Sequence, residues 1–262
     1  MSEQIDIARR PDRWSRDEGG IDLVRPERPP CPARLDAQPD PIRIDMARMA
    51  LMVVDMQNDF LAPEGWFATV RGAEVAPLHG VIPNINSLAA AFRCAGAPVI
   101  HLNWGVRGDL ANLPPNVVDK GSACGAVPGY GARIASGDVL VRGSWGAASH
   151  DAISRGNGDI EVAKHRLSGF RDNELDQILR RRGVTVVFYT GVNLDRCVFA
   201  TLMDGCFQGY DAVLVEDAST TVSPPHVSDA ILYLVRLLYG FTTTTAAVLS
   251  ALDRSDEQGE RS

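Results

Sequence analysis

Three side chains capable of covalent chemistry lie far apart in this chain: Asp55 in VVDMQNDF, Lys164 in DIEVAK and Cys197 in GVNLDRC. An acid, an amine and a thiol can act as base, charge stabiliser and nucleophile, which is the set that covalent amide hydrolysis requires. Each has a plainer reading alone. An acidic residue at a strand end often caps or pairs structurally, a lysine is ordinarily solvated, and a cysteine is more often a small buried hydrophobe. Their joint meaning depends on whether the fold brings them together.

The elements around them predict that it does. Residues 50–54 (ALMVV) form a continuous apolar run, as expected of a strand buried on both faces. Residues 81–95 read as a helix ended by Gly96, and 98–102 as a second strand. The stretch 110–138, with Pro114-Pro115 and several glycines, reads as a long loop. A short strand at 159–163 leads to Lys164, and a helix at 171–182 has Leu175, Ile178 and Leu179 on one face. The strongest strand, 184–190 (VTVVFYT), is followed after Gly191 by a helix at about 195–208. Residues 212–216 add a strand, 226–239 a helix, and the tail a last strand and helix.

Strands alternating with helices imply an α/β fold: a Rossmann-like three-layer sandwich with a mostly parallel central sheet flanked by helices. Ligands of such sheets sit beyond the carboxyl ends of the strands. Asp55, Lys164 and Cys197 all fall at those ends. Cys197 starts a helix, whose unpaired N–H groups are expected to lower the thiol's pKa and to hold a developing oxyanion. Cys206 lies further along that helix and points to packing, Cys94 reads as core, and Cys31 and Cys124 lie in loops.

Composition narrows the function. With 33 acidic and 26 basic residues, a formal charge of −7 argues against a nucleic-acid surface. The basic run Arg180-Arg181-Arg182 reads as the cationic last turn of a helix. No apolar run approaches the roughly 20 residues of a membrane span, and residues 1–14 lack a secretory apolar region. Five scattered cysteines without a CxxC pair suggest no disulfide scaffold or zinc knuckle, so a cytoplasmic protein is expected. Residues 1–44, rich in Arg, Asp and Pro, read as an extended N-terminal arm poor at forming helix or sheet. Residues 45–254 then make one domain, and 255–262 a flexible tail.

VVDMQNDF, EVAKHRLSGF and TGVNLDRCVFATLMDGCFQGYDAVLVEDAST, in this order and spacing, resemble the isochorismatase-like cysteine hydrolase superfamily over about residues 44–252. KHRLSGFRDNELDQILRRRG is most similar to the ureidoacrylate amidohydrolase branch, and GVRGDLANLPPN to biuret hydrolases. The resemblance implies that Cys197 attacks an amide carbonyl, that Asp55 takes its proton and passes it to the departing amine, and that Lys164 holds Asp55 ionised. It also implies a cis Val192–Asn193 peptide and an oxyanion hole of the Asn193 and Cys197 N–H groups. GVNLDRC departs from the family's usual motif at Asn193 and Leu194, where many relatives carry Ala or Thr. The nicotinamidase branch has an Asp-x-His metal cluster after its second strand; HLNWGVRGDLANL holds only His101, so neither a metal nor another cofactor is expected.

The expected function is therefore cysteine-dependent cleavage of a small ureido or carbamoyl compound, like ureidoacrylate or biuret, through a thioester, releasing ammonia or an amine. Hydrolysis of another small carboxamide and a non-catalytic binding role are the alternatives. Gln57, Phe60, Asn103, Trp104, Arg107, Arg166 and Phe170 flank the expected pocket, and Arg107 or Arg166 suits a substrate carboxylate. The expected partners are a small amide and further copies of the chain, as a dimer or tetramer, with no nucleic acid and no membrane.

Overall fold

The computed structural model describes residues 14–25 and 28–259. Residues 1–13 and 26–27 of the expected arm, and 260–262 of the expected tail, lie outside them. The chain divides into two units at Pro30. In the first, β1 (Ser15–Asp17) and β2 (Gly20–Asp22) pair as an antiparallel hairpin, with the Asp17 carboxylate accepting the Gly19 N–H at 2.8 Å.

The second unit begins with another hairpin, β3 (Pro32–Leu35) and β4 (Ile42–Asp45). Strand structure in this proline-rich stretch was not expected. Its cause is burial: Ala33 and Leu35 alternate with exposed neighbours and place one apolar face on the core. Every residue of β5 (Met49–Val54) is buried, as the apolar run predicts. Then follow α1 (Asn58–Leu61), α2 (Trp66–Thr69), α3 (Ile82–Cys94) and β6 (Val99–Trp104).

The expected long loop contains a short helix, α4 (Pro115–Gly121), and a small hairpin of β7 (Arg133–Ile134) and β8 (Gly137–Asp138). Pro115 sits at the first helical position, where its missing N–H costs nothing, so the prolines read as loop formers start a helix instead. Next are β9 (Ile160–Lys164) and α5 (Leu175–Arg181). The latter begins later than its apolar spacing suggests, because the Asn173 side chain accepts the Leu175 N–H at 3.0 Å just before the helix.

The strand β10 (Val186–Val192) leads through a π turn (Leu194–Val198) into α6 (Phe199–Phe207). Then come β11 (Asp211–Thr220), α7 (Pro225–Leu234), β12 (Gly240–Thr243) and α8 (Thr245–Gly259). The last helix runs into the segment read as a flexible tail.

The central sheet has order β12-β11-β10-β5-β6-β9 and is parallel throughout. Adjacent residues of β10 face opposite layers: Phe188 meets Phe92 of α3 edge to face at 5.3 Å, whereas Tyr189 lies beneath Gly205 of α6. This is the expected three-layer α/β sandwich. From β5 the chain builds outward through β6 and β9, then returns to build β10, β11 and β12 on the other side. The switch point therefore lies between β5 and β10, where a crevice opens at the strand ends.

Gly191 fixes that crevice. Its φ is +109°, it pairs with Val54, and an added Cβ would lie 2.2 Å from the Val54 carbonyl oxygen. Gly191→Ala should destabilise the protein by about 2–4 kcal/mol, measured by denaturant unfolding; a change below about 0.5 kcal/mol, the usual range for surface substitutions, would refute the constraint.

Candidate active site

Four neighbouring strand ends supply the site. Asp55 follows β5, Trp104 ends β6, Lys164 ends β9, and Cys197 lies in the turn after β10. Trp104 and Lys164 are register partners across β6 and β9. Asp55 adopts φ +51°, a left-handed conformation that a non-glycine residue rarely takes and that marks a position held by its surroundings.

The Lys164 ammonium lies 2.9 Å from Asp55 Oδ2, with side-chain exposures of 0% and 1%. Burial alone would neutralise such groups; pairing keeps a buried ammonium and carboxylate compatible. The Cys197 thiol lies beside the same carboxylate. The structure thus brings together all three of the residues singled out from the sequence.

Trp104 touches each of them. Its backbone N–H donates to Asp55 Oδ1 at 3.1 Å, its indole N–H donates to Cys197 Sγ at 3.3 Å, and its ring centroid lies 4.2 Å from Lys164 Nζ. The ring stacks on Tyr130 at 4.7 Å, and Tyr130 in turn lies 5.6 Å from the Trp66 ring. A buried cation over an indole face gains from the ring quadrupole.

Burial pushes the Asp55 carboxyl above its ordinary range, against the opposing pull of Lys164 and of its hydrogen bonds. The Cys197 thiol is pushed up to about 12, first by burial and then by the negative charge of Asp55, which outweigh Lys164 and the Trp104 indole N–H. This corrects the sequence expectation of a lowered thiol pKa. Cys197 sits inside the π turn, buried beside a carboxylate, and desolvation there outweighs the helix dipole. The resting site is a neutral thiol beside a lysine-paired carboxylate.

The Val192–Asn193 peptide is cis. The Asn193 side-chain oxygen accepts the Val222 N–H at 3.2 Å and the Thr221 hydroxyl at 3.3 Å, and the Thr201 hydroxyl donates to the Cys197 carbonyl at 2.6 Å. These bonds join the turn to the end of β11 and to α6.

Cys197 opens onto a cavity of about 220 Å³ with an aromatic wall of Phe60, Trp66, Phe67, Trp104 and Tyr130. Asn193 and Leu167 also line it, as do three cations: Arg71, Lys120 and Arg196. Of the expected pocket residues, Phe60 and Trp104 are in this lining. Gln57 is consumed by backbone: its amide nitrogen donates to the Trp104 and Ala147 carbonyls at 2.8 and 2.7 Å, and its oxygen accepts the Trp104 N–H at 2.8 Å. Asn103 donates to Ser149 at 3.0 Å. Arg107 forms an exposed two-bond pair with Asp109, Arg166 binds the Asn112 and His165 carbonyls and faces Asp172, and Phe170 stacks on Tyr210. These five, Gln57 included, lie outside the cavity lining.

The aromatics Trp66, Phe67 and Tyr130 and the cations Arg71, Lys120 and Arg196 escaped the sequence reading. Trp66 and Phe67 follow the DMQNDF motif after a gap of five residues, and Arg196 adjoins Cys197. Proximity in sequence was the available signal for those three; for Tyr130 and Lys120, in the long loop, there was none. Among the described residues, no group of three or more His, Cys, Asp or Glu side chains could hold a metal ion. His101 instead pairs with Asp159 at 2.8 Å, beside Arg93.

A parallel α/β sandwich with an acid, an ammonium and a thiol joined at its switch point defines a class of cysteine hydrolase folds. The isochorismatase domain model matches residues 49–247, and the chain belongs to that family. It is 33% identical over 219 residues to the ureidoacrylate amidohydrolase RutB of Yersinia enterocolitica, covering 80% of this chain and 91% of that protein. With the RutB of Methylobacterium radiotolerans the identity is 34% over 227 residues, covering 83% and 84%. Among solved structures, a cysteine hydrolase from Pseudomonas syringae pv. phaseolicola superposes with TM-score 0.68 at 25% identity, over 81% of this chain and 95% of that one. The N-carbamoylsarcosine amidase of Thermoplasma acidophilum gives 0.58 at 27%, over 76% and 96%.

Two outcomes are expected. Lys164→Met leaves Asp55 buried without its cation and should cost about 3–5 kcal/mol. The loss should be greatest at alkaline pH and shrink as pH falls and Asp55 takes up a proton; pH-dependent unfolding curves measure it, and a pH-independent loss would contradict the assignment. Iodoacetamide labelling of Cys197, followed by peptide mass spectrometry, should still accelerate above about pH 10. An ordinary thiol, with a pKa near about 8.5, has levelled off there. Trp104→Phe, which keeps a ring but removes the N–H donor to sulfur, should shift that profile further to high pH.

Proposed function

We propose that this chain is an amidohydrolase that cleaves a small ureido or carbamoyl compound through a thioester on Cys197. The observation that carries this reading is the clustering of Asp55, Lys164 and Cys197 at the edge of an aromatic-walled cavity. The relatives that act on ureidoacrylate and N-carbamoylsarcosine support the substrate class.

In this mechanism Sγ attacks the carbonyl carbon as its proton passes to Asp55, so the thiolate never accumulates. That order suits a thiol whose pKa is high and which lies beside its base. The Lys164 charge holds Asp55 ionised until the proton arrives. The carbonyl oxygen becomes an oxyanion, for which the Asn193 and Cys197 N–H groups are the donors. The tetrahedral adduct then breaks its C–N bond, and Asp55 returns the proton to the leaving nitrogen. Water, deprotonated by Asp55, hydrolyses the thioester and regenerates the thiol. For a ureido substrate the bound group is a carbamoyl thioester or its N-substituted equivalent, and the released carbamate loses carbon dioxide.

In this reading residues 45–254, together with the β3–β4 hairpin that shares their core, make up the catalytic domain, which works in the cytoplasm as a homo-oligomer. Phe207, Tyr233, Leu237 and Leu238, each more than half exposed, support self-association.

Ammonia release from a panel of ureido acids, biuret and simple carboxamides tests the proposal. Cys197→Ala and Asp55→Asn should each reduce turnover by about a thousandfold or more, with Cys197→Ala retaining the wild-type unfolding midpoint. Undiminished turnover in Cys197→Ala, or a wild-type protein inert to the whole panel, would refute it.

A further inference from the structure

Arg71 and Arg196 approach the cavity from different elements, Arg71 just beyond α2 and Arg196 from the turn that carries Cys197. Both line the 220 Å³ chamber, and both also line an adjoining recess of about 440 Å³. They therefore stand at the boundary between the two spaces. Each guanidinium is oriented by an aromatic ring: Arg71 lies 5.6 Å from the Trp66 centroid, and Arg196 lies 5.7 Å from that of Phe67.

Neither is consumed by a strong ion pair. Arg71 donates from one nitrogen to the Gly121 carbonyl at 3.1 Å, and among the described residues it pairs with no carboxylate. Arg196 donates to the Ser223 hydroxyl at 3.2 Å and reaches Asp195 only at 3.6 Å. The Asp195 carboxylate is itself held by the Thr221 and Ser223 hydroxyls. A guanidinium has five N–H donors, so both retain capacity toward the cavity. Lys120 adds a third positive charge, and among the described residues no Asp or Glu lines the inner cavity. The buried negative charge behind it, on Asp55, is already balanced by Lys164. Glu74 lines only the outer recess.

From this the geometry points to a substrate that carries a carboxylate, gripped by Arg71 and Arg196 while its ureido or amide carbonyl rests at Cys197. This inference builds on the amidohydrolase reading and adds the charge of the substrate and the residues that select it. It moves carboxylate recognition from Arg107 and Arg166 to the two arginines that share the cavity with the nucleophile. Planar guanidinium forks suit a carboxylate, and a site of net positive charge draws anions in. A neutral compound such as biuret leaves both forks unpaired.

The test compares 3-ureidoacrylate with its uncharged methyl ester, reading ammonia release by the wild type, Arg71→Gln, Arg196→Gln and Arg196→Lys. The wild type should favour the acid. Each glutamine variant should lower kcat/KM for the acid by about 10- to 100-fold, chiefly through KM, so that the preference for acid over ester collapses. Arg196→Lys should restore only part of it, since an ammonium keeps the charge but not the fork. Equal use of acid and ester by the wild type, or an acid-to-ester ratio unchanged in the glutamine variants, would overturn the inference while leaving the hydrolase reading intact. If the wild type hydrolyses neither compound, protection of Cys197 from iodoacetamide by 3-ureidoacrylate decides. Protection that is lost in the glutamine variants supports the anion site, and no protection in the wild type overturns it.

Discussion

The ion pair between Asp55 and Lys164 is withdrawn from water on every side, and the architecture around the crevice is organised by that fact. Two opposite charges survive in such a place only when their geometry is held tightly, because any separation leaves each facing a low-dielectric interior. Three adjacent strands hold it. Asp55 leaves the end of β5, Lys164 ends β9, and β6 lies between them, contributing both a backbone N–H to the carboxylate and an indole ring to the ammonium. The Gln57 side chain fastens the Trp104 backbone in turn. Sequence, sheet order and electrostatics therefore meet in one constraint: the strand ends must stop level with one another.

The same pair governs the sulfur. A carboxylate beside a buried thiol disfavours the thiolate, so nucleophilicity is kept latent rather than displayed. In the proposed mechanism, charge appears on sulfur only as a proton moves to the adjacent Asp55, and the nearby ammonium offsets the charge as it redistributes. An activated resting thiolate would invite oxidation and alkylation; a neutral thiol in an aromatic chamber avoids both. Among the described residues, the exposed cysteines Cys31, Cys124 and Cys94, the last read from the sequence as core, have no comparable arrangement of a base and a cation.

Much of this was legible before coordinates, for definite reasons. Strands such as 184–190 announce themselves because a parallel sheet buried on both faces demands unbroken apolar runs, and polar residues at their ends then stand out. The cluster of Asp55, Lys164 and Cys197 was readable because each member sits at such an end. The pocket wall was not, because Tyr130 and Lys120 come from a long connection whose path no periodicity encodes. Gln57 was misleading for a related reason: its place beside Asp55 in sequence suggested substrate contact, but the β-extended backbone before α1 turns it toward the Trp104 peptide. Arg107 and Arg166 lie close to the site in sequence, yet acidic neighbours draw them away. The proline-rich segment before residue 45 hid a hairpin because two buried side chains, Ala33 and Leu35, sufficed to fix it.

The order of the strands has a consequence for how the molecule comes into being. Central β5 is flanked by β6, its near neighbour in the chain, and by β10, which is made much later. The crevice exists only once that distant partner has docked, and pairing across so long an intervening loop is entropically slow. Until then one long edge of an apolar strand stands open, which is the form most prone to join a stranger. Because the sulfur arrives with β10, catalytic competence should be among the last properties acquired during refolding, well after most of the helical signal has returned.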